Sequence, residues 1–523
     1  MLRPLLSLLL VLFALVPMVP CQDDPARLDA VREFQKQWKK FKDEPLMVEA
    51  VQTLKAAECR PAAEELLRLL KHPSAAVQQT ALAILETYRE PGTYQAWIDE
   101  LPKLKDQEQM AILVKVLGRG RQKGAVPAIE AVAGDAKASS VLKFEAARAL
   151  HAIGEAGAAG LLGKLVADKE PQVRMAALDT ITALKVKEHA VTALALLKDP
   201  EWQVQTAAVA AVGVLRVQEA IQPLVDKLRE GGRLQIECAD SLFKITGVDN
   251  GVDASRWQTW WEQSKSMKGW RIPTDEELVV KAASRKKYDA LYGKTEKPTN
   301  TFAGIPTTST NVLFIIDVSG SMDDLCVERE RFQGRYRDLK RFTIVQTELL
   351  NTLDCLTPDT NFDIVAFAAD TDPWKKRLVP ANVVNREAAK AWVRGLKPLG
   401  GTDAQELSSV GLVGAGDLKA GKTNTMKALL HAFGVDPEKA PKPAVTGFDK
   451  NAIKSPLDTV YFLSDGIPTV GKLTDTNEIL KEVRKHNEVY RIVIHTIAIG
   501  DFQKDFLEQL AAENGGVFVD LGH

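Results

Sequence analysis

Five side chains carry oxygen in a pattern that can do chemistry. Asp317, Ser319 and Ser321 alternate in FIIDVSGSMDD (314–324), at the end of an apolar run. Asp465 closes a second apolar run, DTVYFLSD (458–465), and Thr423 closes GKT (421–423) just before a helical pattern. All five offer hard oxygen, which suits Mg²⁺, Mn²⁺ or Ca²⁺ rather than Zn²⁺. Mg²⁺ wants six oxygens, so five side chains leave room for water or for a carboxylate brought by a partner.

Other chemistries fit the same letters less well. A phosphoryl-transfer nucleophile at Asp317 calls for a second carboxylate two residues on, and Ser319 stands there. GDLKAGKT (416–423) satisfies the phosphate-loop pattern, with Lys422 for phosphates, Thr423 for a nucleotide-bound Mg²⁺ and VYFLSD as the companion strand. The run before it, SVGLVGA (409–415), is a weak, glycine-rich strand, which makes poor context for that loop. The plain alternative is a turn at Ser319–Ser321 and a helix cap at Asp317. No Ser-His-Asp, Cys-His or zinc spacing stands out among the seven histidines.

The elements around these residues alternate. Strands are expected at 311–317, 361–368, 458–465, 491–500 and 517–521, and helices at 339–353, 386–396, 424–433, 476–486 and 504–513. Continuous apolar strands alternating with helices predict an α/β, doubly wound, Rossmann-like and mostly parallel sheet. Ligands bind outside the carboxyl ends of such strands, where Asp317 and Asp465 both arrive.

This C-terminal part, about residues 311–523, resembles a von Willebrand factor A domain. D-x-S-x-S after a strand, a later G-x-T before a helix and a strand-terminal aspartate match its metal-ion-dependent adhesion site. The resemblance implies that Asp317, Ser319, Ser321, Thr423 and Asp465 hold a divalent cation, usually Mg²⁺. It also implies that a protein partner completes the coordination with an Asp or Glu. One departure concerns the threonine: PLGGTDAQ (398–405) also resembles the family's G-G-T segment, so Thr402 competes with Thr423, and an insertion separates the two. A second is the charged stretch DDLCVERERFQGRYRDLKR (323–341), which either gates the site or is a solvated insertion.

Upstream lies a repeat. The first apolar anchor of each helical line falls at Met47, Val77, Met110, Leu142, Val173, Val204 and Leu234, with spacings of 30, 33, 32, 31, 31 and 30. A period near 31 predicts stacked helix pairs, and alanines such as Ala146, Ala147, Ala176, Ala177, Ala207 and Ala208 let them approach. The region resembles a short-repeat HEAT solenoid, expected over 27–265, and is either a rigid spacer or a second protein-binding surface. Trp257, Trp260 and Trp261 share one helix face and are expected to cap the last repeat. A helix follows at 273–291, with Thr274 and Glu277 as a capping box, and then a linker at 295–310 rich in Pro, Gly and Thr. As a whole the chain resembles bacterial secreted proteins that join HEAT-like repeats to a von Willebrand factor A domain.

Composition sets the outer bounds. A chain of 523 residues exceeds one core, and a formal net charge of −1 gives no basic surplus for nucleic acid. Arg3, the apolar stretch Leu5–Val16 and the small residues before Gln22 read as a secretory signal over 1–21. Cys21 raises a lipid anchor as the alternative, and an uncleaved anchor is a third. Cys326 and Cys355 would flank a helix, roughly 20 Å apart, too far for a bridge, and Cys59 and Cys238 lie far apart among the repeats. All four are expected to be isolated thiols. The expectation is an exported, non-enzymatic binding protein, periplasmic or extracellular, that meets a membrane only through a lipid at Cys21.

Overall fold

The structure is a computed structural model. It describes residues 24–267, 269–292, 301–306, 309–326, 336–399, 422–439, 447–449, 451–465, 467–500 and 504–521. The signal segment 1–21, Thr402 and residues 416–421 of the phosphate-loop pattern lie outside the described residues. Among the described residues no helix is long and apolar enough to cross a membrane.

The repeat region is a helical solenoid. Its inner helices are Glu44–Gln52, Ala75–Leu85, Gln107–Arg119, Ser140–Ile153, Pro171–Leu184, Trp202–Leu215 and Gln235–Thr246. From Gln107 onward each packs on the next. The predicted anchors Val77, Leu142, Val173 and Val204 are fully buried, as are Ala146, Ala147, Ala177 and Ala208. An ion pair recurs with the period: Lys143 bonds Asp168 at 2.8 Å, and Arg174, 31 residues later, bonds Asp199 bidentately at 2.8 Å. The tryptophan helix Ala254–Ser264 closes the stack, with Trp257 buried and its indole N–H donating to the Gly251 carbonyl at 2.9 Å. The capping box forms: the Thr274 N–H donates to Glu277, and the Glu277 N–H to the Thr274 hydroxyl. Among the described residues Cys59, Cys238, Cys326 and Cys355 form no disulfide.

Two short strands, β1 (Thr301–Phe302) and β2 (Ile305–Pro306), form a hairpin within the expected linker. Phe302 is fully buried against Phe314 and Tyr461, so this stretch belongs to the core of the sheet domain. The main sheet holds β3 (Asn311–Asp317), β4 (Asn361–Phe367), β5 (Thr371–Pro373), β6 (Val379–Pro380), β7 (Thr459–Ser464), β8 (Val493–Ala498) and β9 (Phe518–Asp520). Its order is β5-β4-β3-β7-β8-β9, parallel from β4 to β9, with β5 and β6 antiparallel to β4. Helices Arg341–Cys355 and Val383–Gly395 cover one face. Thr425–His431, Thr476–Tyr490 and Lys504–Glu513 cover the other. Covering both faces explains why the central strands are apolar at nearly every position.

The solenoid touches this domain where the strands begin. Glu145 accepts the Gly447 N–H at 2.7 Å, and Gln172 accepts the Asp449 N–H at 3.2 Å while donating to the Asp449 carbonyl. Gln203 donates to the Ile453 carbonyl at 3.4 Å, and Arg233 to the Arg491 carbonyl at 3.0 Å. Gln172, Gln203 and Arg233 each stand one residue before an anchor, so three successive repeats use one position for the same task. Ion pairs Arg148–Glu488 and Arg491–Asp179 flank the contact, and Phe144 meets Phe448 edge-on. Asp449 and Ile453 precede β7 and Arg491 precedes β8, so the contact lies on the edge opposite Asp317 and Asp465.

Candidate metal centre

β3 and β7 are parallel neighbours, yet the chain leaves them in opposite directions. From β3 it passes to β4 on one side, and from β7 to β8 on the other. Loops that part this way leave a crevice at the strand ends. Asp317 is the last residue of β3, and Asp465 follows β7 directly. Their exposures are 0% and 1%.

One chain of hydrogen bonds joins them. Asp317 accepts the Ser319 N–H at 2.8 Å on Oδ1 and the Ser464 hydroxyl at 2.6 Å on Oδ2. The Ser319 and Ser321 hydroxyls lie 3.2 Å apart. Ser321 donates to Asp465 Oδ1 at 2.9 Å, and Arg341 Nη1 donates to Asp465 Oδ2 at 2.7 Å. Arg341 is buried, its Nε has no partner among the described residues, and its guanidinium lies against Gly500, which has φ +126°. A Cβ at position 500 would sit 3.3 Å from Arg341 Cζ, so backbone conformation and space both call for glycine there.

The electrostatics are uneven. Burial, and then the neighbouring Asp465 carboxylate, push the Asp317 carboxyl up to about 7. Burial also raises Asp465, with the Arg341 hydrogen bond and charge working against it. Of the two buried carboxylates, the guanidinium bonds Asp465, while Asp317 is held by Ser319 and Ser464. Among the described residues no group of three or more His, Cys, Asp or Glu gathers anywhere, so a cation here would need the serine hydroxyls beside the two carboxylates. Hard oxygens in a buried, under-compensated negative crevice fit a hard divalent cation.

Thr423 lies on the same edge. Its carbonyl accepts the N–H groups of Thr469 at 2.9 Å and Val470 at 3.3 Å, its N–H donates to the Thr469 hydroxyl at 2.8 Å, and the Asn424 N–H donates to the Ala368 carbonyl at 2.8 Å. These bonds strap it between the ends of β4 and β7. Among the described residues its hydroxyl makes no hydrogen bond to the other four. Lys422 is exposed. The PLGGT segment also starts at the site, because the Leu399 N–H donates to the Val318 carbonyl at 2.8 Å.

Two residues in the chain of bonds escape a reading by motif. Ser464 reads as the end of a strand, and Arg341 as the tail of a charged stretch. The ends of that stretch are pinned beside Asp465: Leu325 bridges to Lys340, the Arg341 N–H donates to the Asp324 carbonyl at 3.0 Å, and Lys340 pairs with Asp323 at 2.7 Å.

A buried carboxyl raised to about 7 makes a prediction for the metal-free protein. Between about pH 4, its ordinary value, and pH 7 the folded state binds more protons than the unfolded one. The group's contribution to stability therefore falls as pH rises through that window. In chelator, Asp317→Asn should gain stability relative to wild type between pH 5 and pH 8, on the order of 1 kcal/mol or more. Calorimetric melting at both values measures this; the same difference at pH 5 and pH 8 would count against a strained Asp317.

The family model for HEAT repeats matches residues 158–242, and that for the von Willebrand factor type A domain matches 337–408 and 413–520. The second match begins after the D-x-S-x-S segment. The chain is similar to inter-alpha-trypsin inhibitor heavy chain H1 of Mesocricetus auratus, 30% identical over 210 residues, 40% of this chain and 18% of that protein. It is also similar to heavy chain H4 of Homo sapiens, 27% identical over 217 residues, 41% of this chain and 18% of that one. The chain thus spans under a fifth of the length of these relatives. Among solved structures, a von Willebrand factor type A protein from Catenulispora acidiphila matches at 19% identity and TM-score 0.26, over 40% of this chain and 38% of that one. BatB from Bacteroides thetaiotaomicron matches at 12% identity and TM-score 0.25, over 41% and 90%.

Proposed function

We propose that this chain, whose repeats are HEAT repeats and whose C-terminal domain is a von Willebrand factor type A domain, is an exported, non-enzymatic protein that binds a protein partner through a divalent cation. The observation that carries the reading is the buried, hydrogen-bonded set of hard oxygens at the point where β3 and β7 part. Asp317, Ser319, Ser321 and Asp465 would hold the ion, with Thr423 as the fifth donor. Mg²⁺ is the first choice by donor chemistry, with Mn²⁺ or Ca²⁺ as alternatives. The ion would supply a hard positive centre for a partner's Asp or Glu. Ser464 and Arg341 orient the two carboxylates, since each donates to one of them. The solenoid contacts lie on the opposite edge, so they do not cover the site. Export rests on the residue pattern of positions 1–21.

A second reading has its own support. The Arg341–Asp465 pair at 2.7 Å already compensates one carboxylate, as it would in a scaffold that works without metal. Using the full chain as bait on the exported protein fraction, in Mg²⁺ and in EDTA, separates the two. Capture in Mg²⁺ that EDTA abolishes is expected; capture indifferent to EDTA favours the scaffold.

A further inference from the structure

The chain of bonds from Ser464 to Arg341 is polar and buried, but its surroundings are not. Three large aliphatic side chains stand exposed there: Leu325 at 43%, Leu399 at 46% and Ile467 at 45%. Each is tied to the site by backbone. Leu325 follows Asp324, whose carbonyl accepts the Arg341 N–H. Leu399 donates its N–H to Val318, which separates Asp317 from Ser319. Ile467 stands two residues after Asp465. The three come from three different loops at one sheet edge. Among the described residues of this domain, the other exposed large aliphatics are Val383, Val384 and Val517. Those lie by the starts of β4 and β9, on the opposite edge.

A single exposed leucine needs no explanation. Three around one polar centre are different, because apolar groups gathered at a recognition point mark a contact surface. Folding does not account for their exposure either: Met322 and Cys326, beside Leu325, are fully buried. Of the described acidic residues next to the rim, Asp323 pairs with Lys340 at 2.7 Å and Asp324 lies 4.0 Å from Arg341. The three side chains offer apolar surface to a flank, and the centre offers a place for one carboxylate.

We propose that Leu325, Leu399 and Ile467 form the specificity surface of this site, and that its partner is a protein loop carrying one Asp or Glu flanked by aliphatic or aromatic side chains. This rests on the reading above, that the centre holds a divalent cation and takes a carboxylate; the rim adds what must surround that carboxylate. A small carboxylate without apolar neighbours would use the centre alone.

The probe is a displayed library of random short peptides, panned on the full chain in Mg²⁺ and eluted with EDTA. Enriched sequences should place an Asp or Glu beside apolar residues, and a synthetic copy should bind the full chain by fluorescence anisotropy. The triple variant Leu325→Ser, Leu399→Ser, Ile467→Ser changes only exposed side chains. It should keep its calorimetric Mg²⁺ binding and lose at least about tenfold in affinity for that peptide. Equal affinity in the triple variant overturns the proposal. So do enriched peptides with a carboxylate but no apolar neighbours, and so does a chain that binds Mg²⁺ yet enriches nothing. A chain that binds no Mg²⁺ overturns the metal reading itself, and the rim with it.

Discussion

Replacing Asp317 by alanine should abolish Mg²⁺ binding to the full chain in a calorimetric titration that shows one bound ion for the wild type. Asp317 is one of two carboxylates among the five proposed donors, so its loss removes much of the charge that offsets dehydration of the ion. It also organises the site, because the Ser319 N–H and the Ser464 hydroxyl both donate to it. Ser319→Ala removes a neutral donor and should weaken binding by only about tenfold. Asp317→Asn, which keeps the shape, guards against a variant that fails for want of folding. Lys422→Ala is the contrasting case. An ammonium has no lone pair for a cation, so its removal should leave Mg²⁺ affinity unchanged or modestly tighter. If GDLKAGKT cradled a nucleotide, Lys422→Ala would instead destroy ATP binding. Equal titrations for wild type and Asp317→Ala would sink the site assignment. Saturable ATP binding lost in Lys422→Ala would replace it with a nucleotide site.

What the sequence made legible follows from the range of the interactions. The inner helices showed themselves because Val77, Met110, Leu142, Val173 and Val204 are buried anchors at a period near 31, three of them followed by buried alanine pairs. The strands of the sheet showed themselves because both faces are covered and their apolar runs are unbroken. Asp317, Ser319, Ser321 and Asp465 could be placed on one edge because parallel strands deliver their ends together. Arg341 could not be assigned in this way. Its value lies in a bond to Asp465, 124 residues away, and locally it reads as the first turn of an amphipathic helix. The hairpin 301–306 was hidden for a different reason. Its two-residue turn, Ala303-Gly304, takes positive φ at both positions, 49° and 83°. That is the geometry of a type I′ turn, whose usual signal is Asn-Gly, and the alanine disguises it. β5 and β6 are too short to show a period. The glutamines before Val173 and Val204 were visible as a repeated feature, but nothing local could say what they hold.

What they hold makes the second prediction. The triple variant Gln172→Ala, Gln203→Ala, Arg233→Ala should release the sheet domain from the solenoid without unfolding either. The three side chains, one per repeat, bond backbone groups of Asp449, Ile453 and Arg491. Gln172 and Gln203 are fully buried, so truncation leaves their partners unpaired in a dry contact, at about 1–3 kcal/mol each. The sum is comparable to the whole contribution of a modest interdomain contact. Hydrogen exchange gives the local readout, because the Gly447 and Asp449 amides donate to Glu145 and Gln172 in the docked chain. Their exchange should accelerate by about a hundredfold or more, and the radius of gyration from small-angle scattering should rise. Far-UV circular dichroism should not change, since the sheet is packed on both faces by its own helices and the solenoid by its own repeats. Mg²⁺ binding should also persist, because the contact lies where the strands begin and the metal centre where they end. Unchanged exchange at Gly447 and Asp449 would mean the three side chains hold nothing together. Loss of helical signal would mean instead that solenoid and sheet fold as one cooperative unit, a result the apolar cluster shared across their junction makes worth measuring.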